Sequence, residues 1–398
     1  MQYINCLLLL LLFSMLISCN KEPTYYSHTK VFIPSVESDS YKCPIDSDAF
    51  DVTAVIHLDI PDESVDVKGV PLFCNDRIYI YDVKREYVLV FDKDGQFIHK
   101  VGGFGRAKNE LNGSICTFDV DRHTNYVHIY NREGRKILVY DENGKFVSCV
   151  MLSDCLPSSI VISENGSYIA SFDCMSYTDK LSRLVVLDAK GKISKILLES
   201  EDENNITCEG VNTRPLYSDH KGHITYLSTL ADSVAFISGD TIQEIYNMDF
   251  ADGFLSEKEI SKAKQSGELP DMFSNTQYIS QCYITDDYLL MEFYSKKDGI
   301  TSNYTYLLNK KTGKNYVFSG YVCAPGVLNH VCTILNDELI IIVKEEDALQ
   351  YELVYHNYCD SFKPTYDEMV KELDLIPVCE DILMHKIKTP VILKLKLR

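Results

Sequence analysis

The chain has no tryptophan. Any aromatic platform for a sugar ring must therefore come from its 27 tyrosines or 17 phenylalanines, and most such rings are needed for packing. It has no Cys-x-x-Cys pair among its 14 cysteines, which excludes the usual zinc knuckle and redox dithiol. Several cysteines, such as Cys116 and Cys282, lie inside apolar runs where a thiol packs as a small hydrophobe. Gly-x-Ser-x-Gly and His-Glu-x-x-His are both missing, so neither a hydrolase elbow nor a zincin helix is indicated. Basic charge is scarce: the formal net charge is −19, which repels polyanions and argues against nucleic acid and against a basic patch on anionic lipid. No apolar run is long enough to span a bilayer.

One apolar run is conspicuous at the amino terminus. Cys6 to Met15 suits the h-region of a signal peptide, although no Lys or Arg precedes it. It leads into Leu16-Ile17-Ser18-Cys19, and the chain turns polar at Asn20-Lys21-Glu22. The Leu-Ile-Ser-Cys ending resembles the lipobox of bacterial lipoproteins. That resemblance implies cleavage after residue 18, acylation of Cys19 and a lipidated tether over residues 19–50. Asn20 is not the aspartate linked with inner-membrane retention, so the resemblance implies the outer membrane, with either the periplasmic or the outer face open.

The remaining chain, with an apolar fraction of 45%, is long enough to bury one large core. Its organising feature is a unit of roughly forty to fifty residues that recurs along the chain, the range where repeat architectures are sought first. In the first unit, Arg77–Asp82 is followed by Tyr87–Asp92, then Asp94-Gly95, then Gln96–Val101. In the next, Tyr126–Asn131 is followed by Lys136–Asp141, Asn143-Gly144 and Lys145–Val150. These runs are rich in Val, Ile, Tyr and Phe and alternate with polar residues, which are strand signals. Asp-Gly and Asn-Gly between them are hairpin turns, because glycine takes a positive φ without a Cβ clash. Weaker copies run over Ser167–Leu197, His223–Tyr246 and Tyr288–Phe318.

A short strand precedes each copy: Gly69–Cys74, Ser114–Val120, Ser159–Ser163, Thr213–Ser218 and Ile279–Thr285. Four antiparallel strands make one propeller blade. The sixth blade is assembled from both ends: Val331–Leu335, Leu339–Val343 and Pro390–Leu397, completed by Val52–Leu58. The expected fold is thus an all-β, six-bladed propeller over residues 51–398, closed by pairing the two termini. Helical signals interrupt it at residues 251–278, where Ser256 to Glu259 form a capping box, and at 344–389. These insertions either cover a rim or form a binding face.

Arg77–Gly95 and Val127–Gly144 resemble the NHL repeat, in which a strand ending in Asp leads to a second strand, an acidic turn and Gly. Val101–Leu111 resembles the glycine-rich connection after the first blade of that family, without its Gly-Pro-Gly-Glu core. With the lipobox, these matches make the chain similar to the six-bladed β-propeller lipoproteins of Bacteroidetes. Fold follows from such a resemblance far better than function does.

For the site, Asp92-x-Asp94-Gly95 reads as a hairpin turn rather than a calcium loop, since later ligands are missing. Gly102-Gly103-x-Gly105 precedes a strand, so no helix amino terminus follows to hold a phosphate. The central channel is the expected ligand site. Its candidate lining residues are Asn75, Asp119, Glu164 and Asp286, at the ends of the first strands. The leading functional expectation is a monomeric, non-enzymatic module that needs no cofactor. It binds a small molecule, a glycan or an envelope protein, and touches the membrane only through its lipid. The alternative is a calcium-dependent propeller enzyme of the lactonase or lyase type, which needs several acidic and amide groups converging on a metal.

Overall fold

A computed structural model describes residues 26–34, 50–61, 67–105, 107, 109–153, 155–172, 182–199, 215–219, 221–227, 232–251, 266, 276–297, 300–319, 331–336, 338–343 and 390–397. Two strands, β1 (Ser27–Ile33) and β2 (Phe50–His57), precede the repeats. Blade one is β3 (Val67–Cys74), β4 (Arg77–Asp82), β5 (Tyr87–Asp92) and β6 (Phe97–Gly102). Blade two is β7 (Ile115–Val120), β8 (Val127–Asn131), β9 (Lys136–Tyr140) and β10 (Phe146–Met151). Blade three is β11 (Ser159–Ile162), β12 (Tyr168–Ser171), β13 (Ser182–Leu187) and β14 (Ile193–Glu199). Blade four is β15 (Leu216–Ser218), β16 (Ile224–Leu227), β17 (Ser233–Ser238) and β18 (Thr241–Phe250). Blade five is β19 (Thr276–Ile284), β20 (Tyr288–Lys297), β21 (Ile300–Asn309) and β22 (Asn315–Ser319). Blade six has β23 (Val331–Leu335), β24 (Glu338–Val343) and β25 (Val391–Leu397), and β2 supplies its outermost strand.

Each blade is an antiparallel meander running from the axis to the rim. The ring is sealed where expected. β2 pairs antiparallel with β25, Val55 opposite Leu393 and His57 opposite Val391, while the inner strand β23 touches β3. Strands from the two ends of the propeller, β2 and β25, thereby share a sheet, which closes the ring.

The core lies between blades rather than within them. Alternate residues of one strand serve different neighbours: Val127 and Ile129 of β8 pack toward blade one with Tyr79, Val88 and Val90, whereas Tyr130 packs toward blade three with Ile160 and Tyr168. Middle strands such as β9 are therefore buried throughout, which departs from the simple alternation expected from the sequence. A strand covered on both faces needs apolar residues on both. Outer strands such as β14 do show an exposed face.

The glycine turns lock blades in series. Asp92, Asp141 and Asp188 each accept, through Oδ1, the N–H groups two and four residues on. The turn glycines Gly95, Gly144 and Gly191 have φ of +88°, +78° and +76°. Each abuts the outer strand of the preceding blade. A Cβ on Gly95 would sit 2.1 Å from the His57 carbonyl oxygen; on Gly144, 3.0 Å from that of Lys100; on Gly191, 2.9 Å from that of Met151. Two constraints therefore converge on one residue: the turn needs positive φ, and the joint needs the absence of a side chain.

The expected tether is corrected in one part. β1 falls inside residues 19–50, yet it pairs parallel with β18, from Ser27 opposite Glu244 to Ile33 opposite Phe250, making the blade-four sheet five-stranded. Val31 and Ile33 are 3% and 0% exposed. A Val-Phe-Ile stretch that finds an open sheet edge is stabilised there by burial, about 2 kcal/mol for each fully buried aliphatic side chain. The signal peptide, Cys19 and most of residues 251–278 and 344–389 lie outside the described residues; Thr276, at the end of the first insertion, already belongs to β19.

Gly95→Ala is expected to lower stability by about 2 kcal/mol or more, because it adds a clash to the positive-φ strain. Gly313→Ala, at φ +71° with open space around it, is expected to lose only about 1 kcal/mol. Urea unfolding midpoints of the two variants provide the check; equal losses would contradict the locking role of Gly95.

Candidate functional site

The turns between the first and second strands of the blades gather at one end of the channel. All four sequence candidates are on them or beside them. Asn75 and Asp76 form the turn after β3, both at positive φ, 46° and 59°. This suits Asn and Asp, whose short polar side chains tolerate that region. Asn75 Nδ2 donates to the Arg122 carbonyl at 2.9 Å and to Asn125 Oδ1 at 2.7 Å, tying blade one to blade two. Glu164 is exposed in the turn after β11, and its carbonyl meets His123 Nε2 at 3.1 Å. Asp286 follows β19 and forms a 2.6 Å ion pair with Lys221. The hydrogen bond from that ammonium holds the Asp286 carboxyl below the usual carboxylate range.

Asp119 differs from the other three because it is 2% exposed. Its Oδ1 accepts the Val120 N–H at 2.8 Å and the Ser218 hydroxyl at 3.0 Å; its Oδ2 accepts the Ile162 N–H at 2.8 Å. The Arg122 guanidinium completes the set through Nη1 at 3.3 Å. A buried carboxylate survives only with such partners. Arg122 then reaches past blade three: Nε and Nη2 donate to the Asp219 carbonyl on blade four at 3.1 and 2.7 Å, and Nη1 donates to the Val120 carbonyl at 2.7 Å. Asp119 and Arg122 together form a clasp joining blades two, three and four near the axis.

Arg122, Ser218 and Asp219 of this clasp share the lining of a small cavity between the inner strands with apolar residues such as Leu72, Phe73, Tyr217, Tyr283 and Ile334. The cavity among them is about 20 Å³, room for about one water molecule. Ligand pockets for drug-sized molecules are about 300 Å³ or more, so this cavity by itself holds no such molecule. Among the described residues, no group of three His, Cys, Asp or Glu side chains converges as a metal site.

Arg122, Ser218 and Asp219 were not singled out from sequence. No repeat position marks Arg122, and its partner on blade four, Asp219, is 97 residues away. His223, half of a His-x-x-His pair in the sequence, bonds Asp219 Oδ2 at 3.1 Å. That hydrogen bond raises its pKa. His128 is different. It lies between blades two and three, with Nδ1 2.9 Å from the Tyr168 hydroxyl, and burial pushes its imidazole down to about 4 against the opposing carboxylates of Asp121 and Asp119.

The comparisons with known proteins bear on this arrangement. Residues 50–373 match the family model described as "Domain of unknown function (DUF4934)". The chain belongs to this family. Among solved structures it is similar to "Putative exported protein (BF0058)" of Bacteroides fragilis NCTC 9343, with 17% identity, a TM-score of 0.67, and coverage of 94% of this chain and 100% of that one. It is also similar to a member of the DUF4221 family from Bacteroides vulgatus ATCC 8482, with 8% identity, a TM-score of 0.56, and coverage of 88% and 99%. These likenesses show the fold alone. A virginiamycin B lyase from Staphylococcus aureus matches at a TM-score of 0.39, with 13% identity and coverage of 73% and 81%, which carries no argument about chemistry here. No curated protein matches the chain.

Arg122→Met is expected to destabilise the fold by about 3 kcal/mol, because it strips a cation from a buried carboxylate. Arg122→Lys is expected to recover only part of this, since an ammonium cannot span three acceptors as the guanidinium fork does. Urea titration measures both; a neutral Arg122→Met would contradict the clasp. For His128, the folded pKa is depressed below the ordinary 6.5. As pH falls from 6.5 to 4 the unfolded chain gains a proton that the folded chain refuses, and stability drops by about 3 kcal/mol. His223 works in the opposite sense: its contribution is complete below pH 6.5 and is lost as pH rises through its folded value. Wild type minus His128→Gln, unfolded in urea at pH 7 and pH 4, isolates the first effect; identical pH slopes would refute it.

Proposed function

We propose that this protein is an exported lipoprotein, held on the outer membrane by acylated Cys19, whose propeller binds a glycan or an envelope protein on its outer surface. The observation that supports the binding mode is the small size of the cavity between the inner strands. A cavity of about 20 Å³ offers no chamber for a small substrate, and the buried carboxylate beside it already has four hydrogen-bonding partners. Recognition then falls to exposed surface, the usual resource of a rigid repeat scaffold. The leader and the Leu-Ile-Ser-Cys motif support export and anchoring. So does the likeness in fold to a protein named as exported. Among the described residues no helix is long and apolar enough to cross a membrane, and the anchoring reading requires none.

Cys19→Ala is expected to abolish palmitate incorporation and to release the protein from the envelope fraction. Persistent labelling would overturn the anchor. A pull-down of the acylated full chain from detergent-solubilised envelopes, with metal analysis of the same sample, tests the binding reading. Calcium at a near-stoichiometric level would overturn it in favour of a metal-dependent enzyme.

A further inference from the structure

β1 does more than cover a sheet edge; it determines where the amino terminus leaves the molecule. Tyr26 donates its hydroxyl to the Leu197 carbonyl of β14 at 3.1 Å, and Ser27 Oγ donates to the Gln243 carbonyl of β18 at 3.1 Å. The first residues of β1 therefore sit at the joint between blades three and four. There Lys195 also donates to the carbonyl of Asp240, in the turn before β18, at 2.8 Å. At the far end of β1 the N–H of Ala251, just past β18, donates to the Ile33 carbonyl at 3.0 Å, and blade five is reached where Tyr306 donates to the Phe32 carbonyl at 3.5 Å. An ion pair from Lys30 to Asp249, 2.7 Å, adds to the seam. β1 thus runs along the rim and is held at both ends and along its length.

Six residues lie between Cys19 and Tyr26, and the seven steps from one Cα to the next reach about 25 Å fully extended. A domain of this size is roughly 50 Å across. Were β1 free, the tether would run from Cys19 to Phe50 and reach over about 100 Å, which imposes no orientation. With β1 docked, the reach is about half the width of the molecule. We infer that β1 makes the rim between blades three and four the membrane-facing side of this protein, with the lipid bilayer surface as the partner it meets. This rests on the acylation of Cys19 proposed above. The joint between blades six and one, where Gly95 meets His57, is three blades away and so lies on the opposite side of the ring, facing away from the membrane. The channel mouth is then lateral and open to soluble partners.

The test uses the acylated full chain in liposomes that carry a headgroup acceptor dye. A fluorescent noncanonical amino acid is placed at Thr241, beside the blade-three joint, or at Asp94, in the corresponding turn of blade one. Both positions are exposed. Energy transfer from position 241 is expected to exceed that from position 94 by about twofold or more, given a reach short against the width. A 30-residue Gly-Ser insertion between Lys21 and Glu22, outside the described residues, is expected to erase the difference. Val31→Asp with Ile33→Asp, which expels β1, is expected to do the same. Equal transfer from the two positions in protein that carries palmitate would overturn the orientation while leaving the anchor intact. Absence of palmitate on the full chain would overturn both. A difference that survives the insertion would assign orientation to some other contact and so refute the role of β1.

Discussion

Each blade presents two apolar faces, and neither can remain in water. This single constraint organises the molecule. A four-stranded sheet such as blade two buries Ile129 and Leu138 against one neighbour and Tyr130 and Ile137 against the other, so no blade is stable alone and every blade needs two partners. The demand ends only when the last blade meets the first. Ile340, Ile342, Ile392 and Ile56 of the closing blade bury against Ile78, Ile80, Leu89 and Phe91 of blade one. Hydrophobic burial supplies the driving force without direction. The hydrogen-bonded pairing of β2 with β25 supplies the register that makes closure specific.

Between blades, polar contacts set spacing rather than provide bulk stability. At the rim, a glycine turn seats against the preceding blade's outer strand, and its backbone geometry leaves no tolerance for a side chain. Near the axis, Asp119 and Arg122 join three blades through charge-assisted hydrogen bonds. Such buried charges cost solvation and return it only when fully partnered. Their arrangement therefore specifies one packing of the inner strands, and the cavity they help to line is small. A scaffold of this kind offers stiff exposed loops instead of a deep pocket, which is why the function proposed lies on the surface.

The amino-terminal segment joins these two themes. β1 is short and adds a fifth, parallel strand to the outer edge of blade four. It covers apolar surface shared by blades four and five, in the cluster of Met248, Phe250, Phe293 and Tyr306, and it holds the chain terminus at a defined place on the rim. A segment that is polar on average thus acts as part of the fold, and the exposure of Phe32 at 59% shows how narrow the buried stripe is.

Much of the fold was legible from residues alone. Val, Ile and Tyr runs punctuated by Asp-Gly and Asn-Gly repeat because strand propensity and turn chemistry are local properties, and local physics writes itself into neighbouring residues. The split closing blade was legible too, since Val52–Leu58 and Pro390–Leu397 were strands left without partners. Asn75, Asp119, Glu164 and Asp286, the sequence candidates for the channel lining, lie in or beside the turns after first strands, but the sequence could not separate the buried Asp119 from the other three, because burial depends on what distant blades bring near. Arg122 with Asp219, Gly95 with His57 and β1 with β18 carry no local signature at all. Each joins residues far apart in the chain, and only closing the ring brings them together.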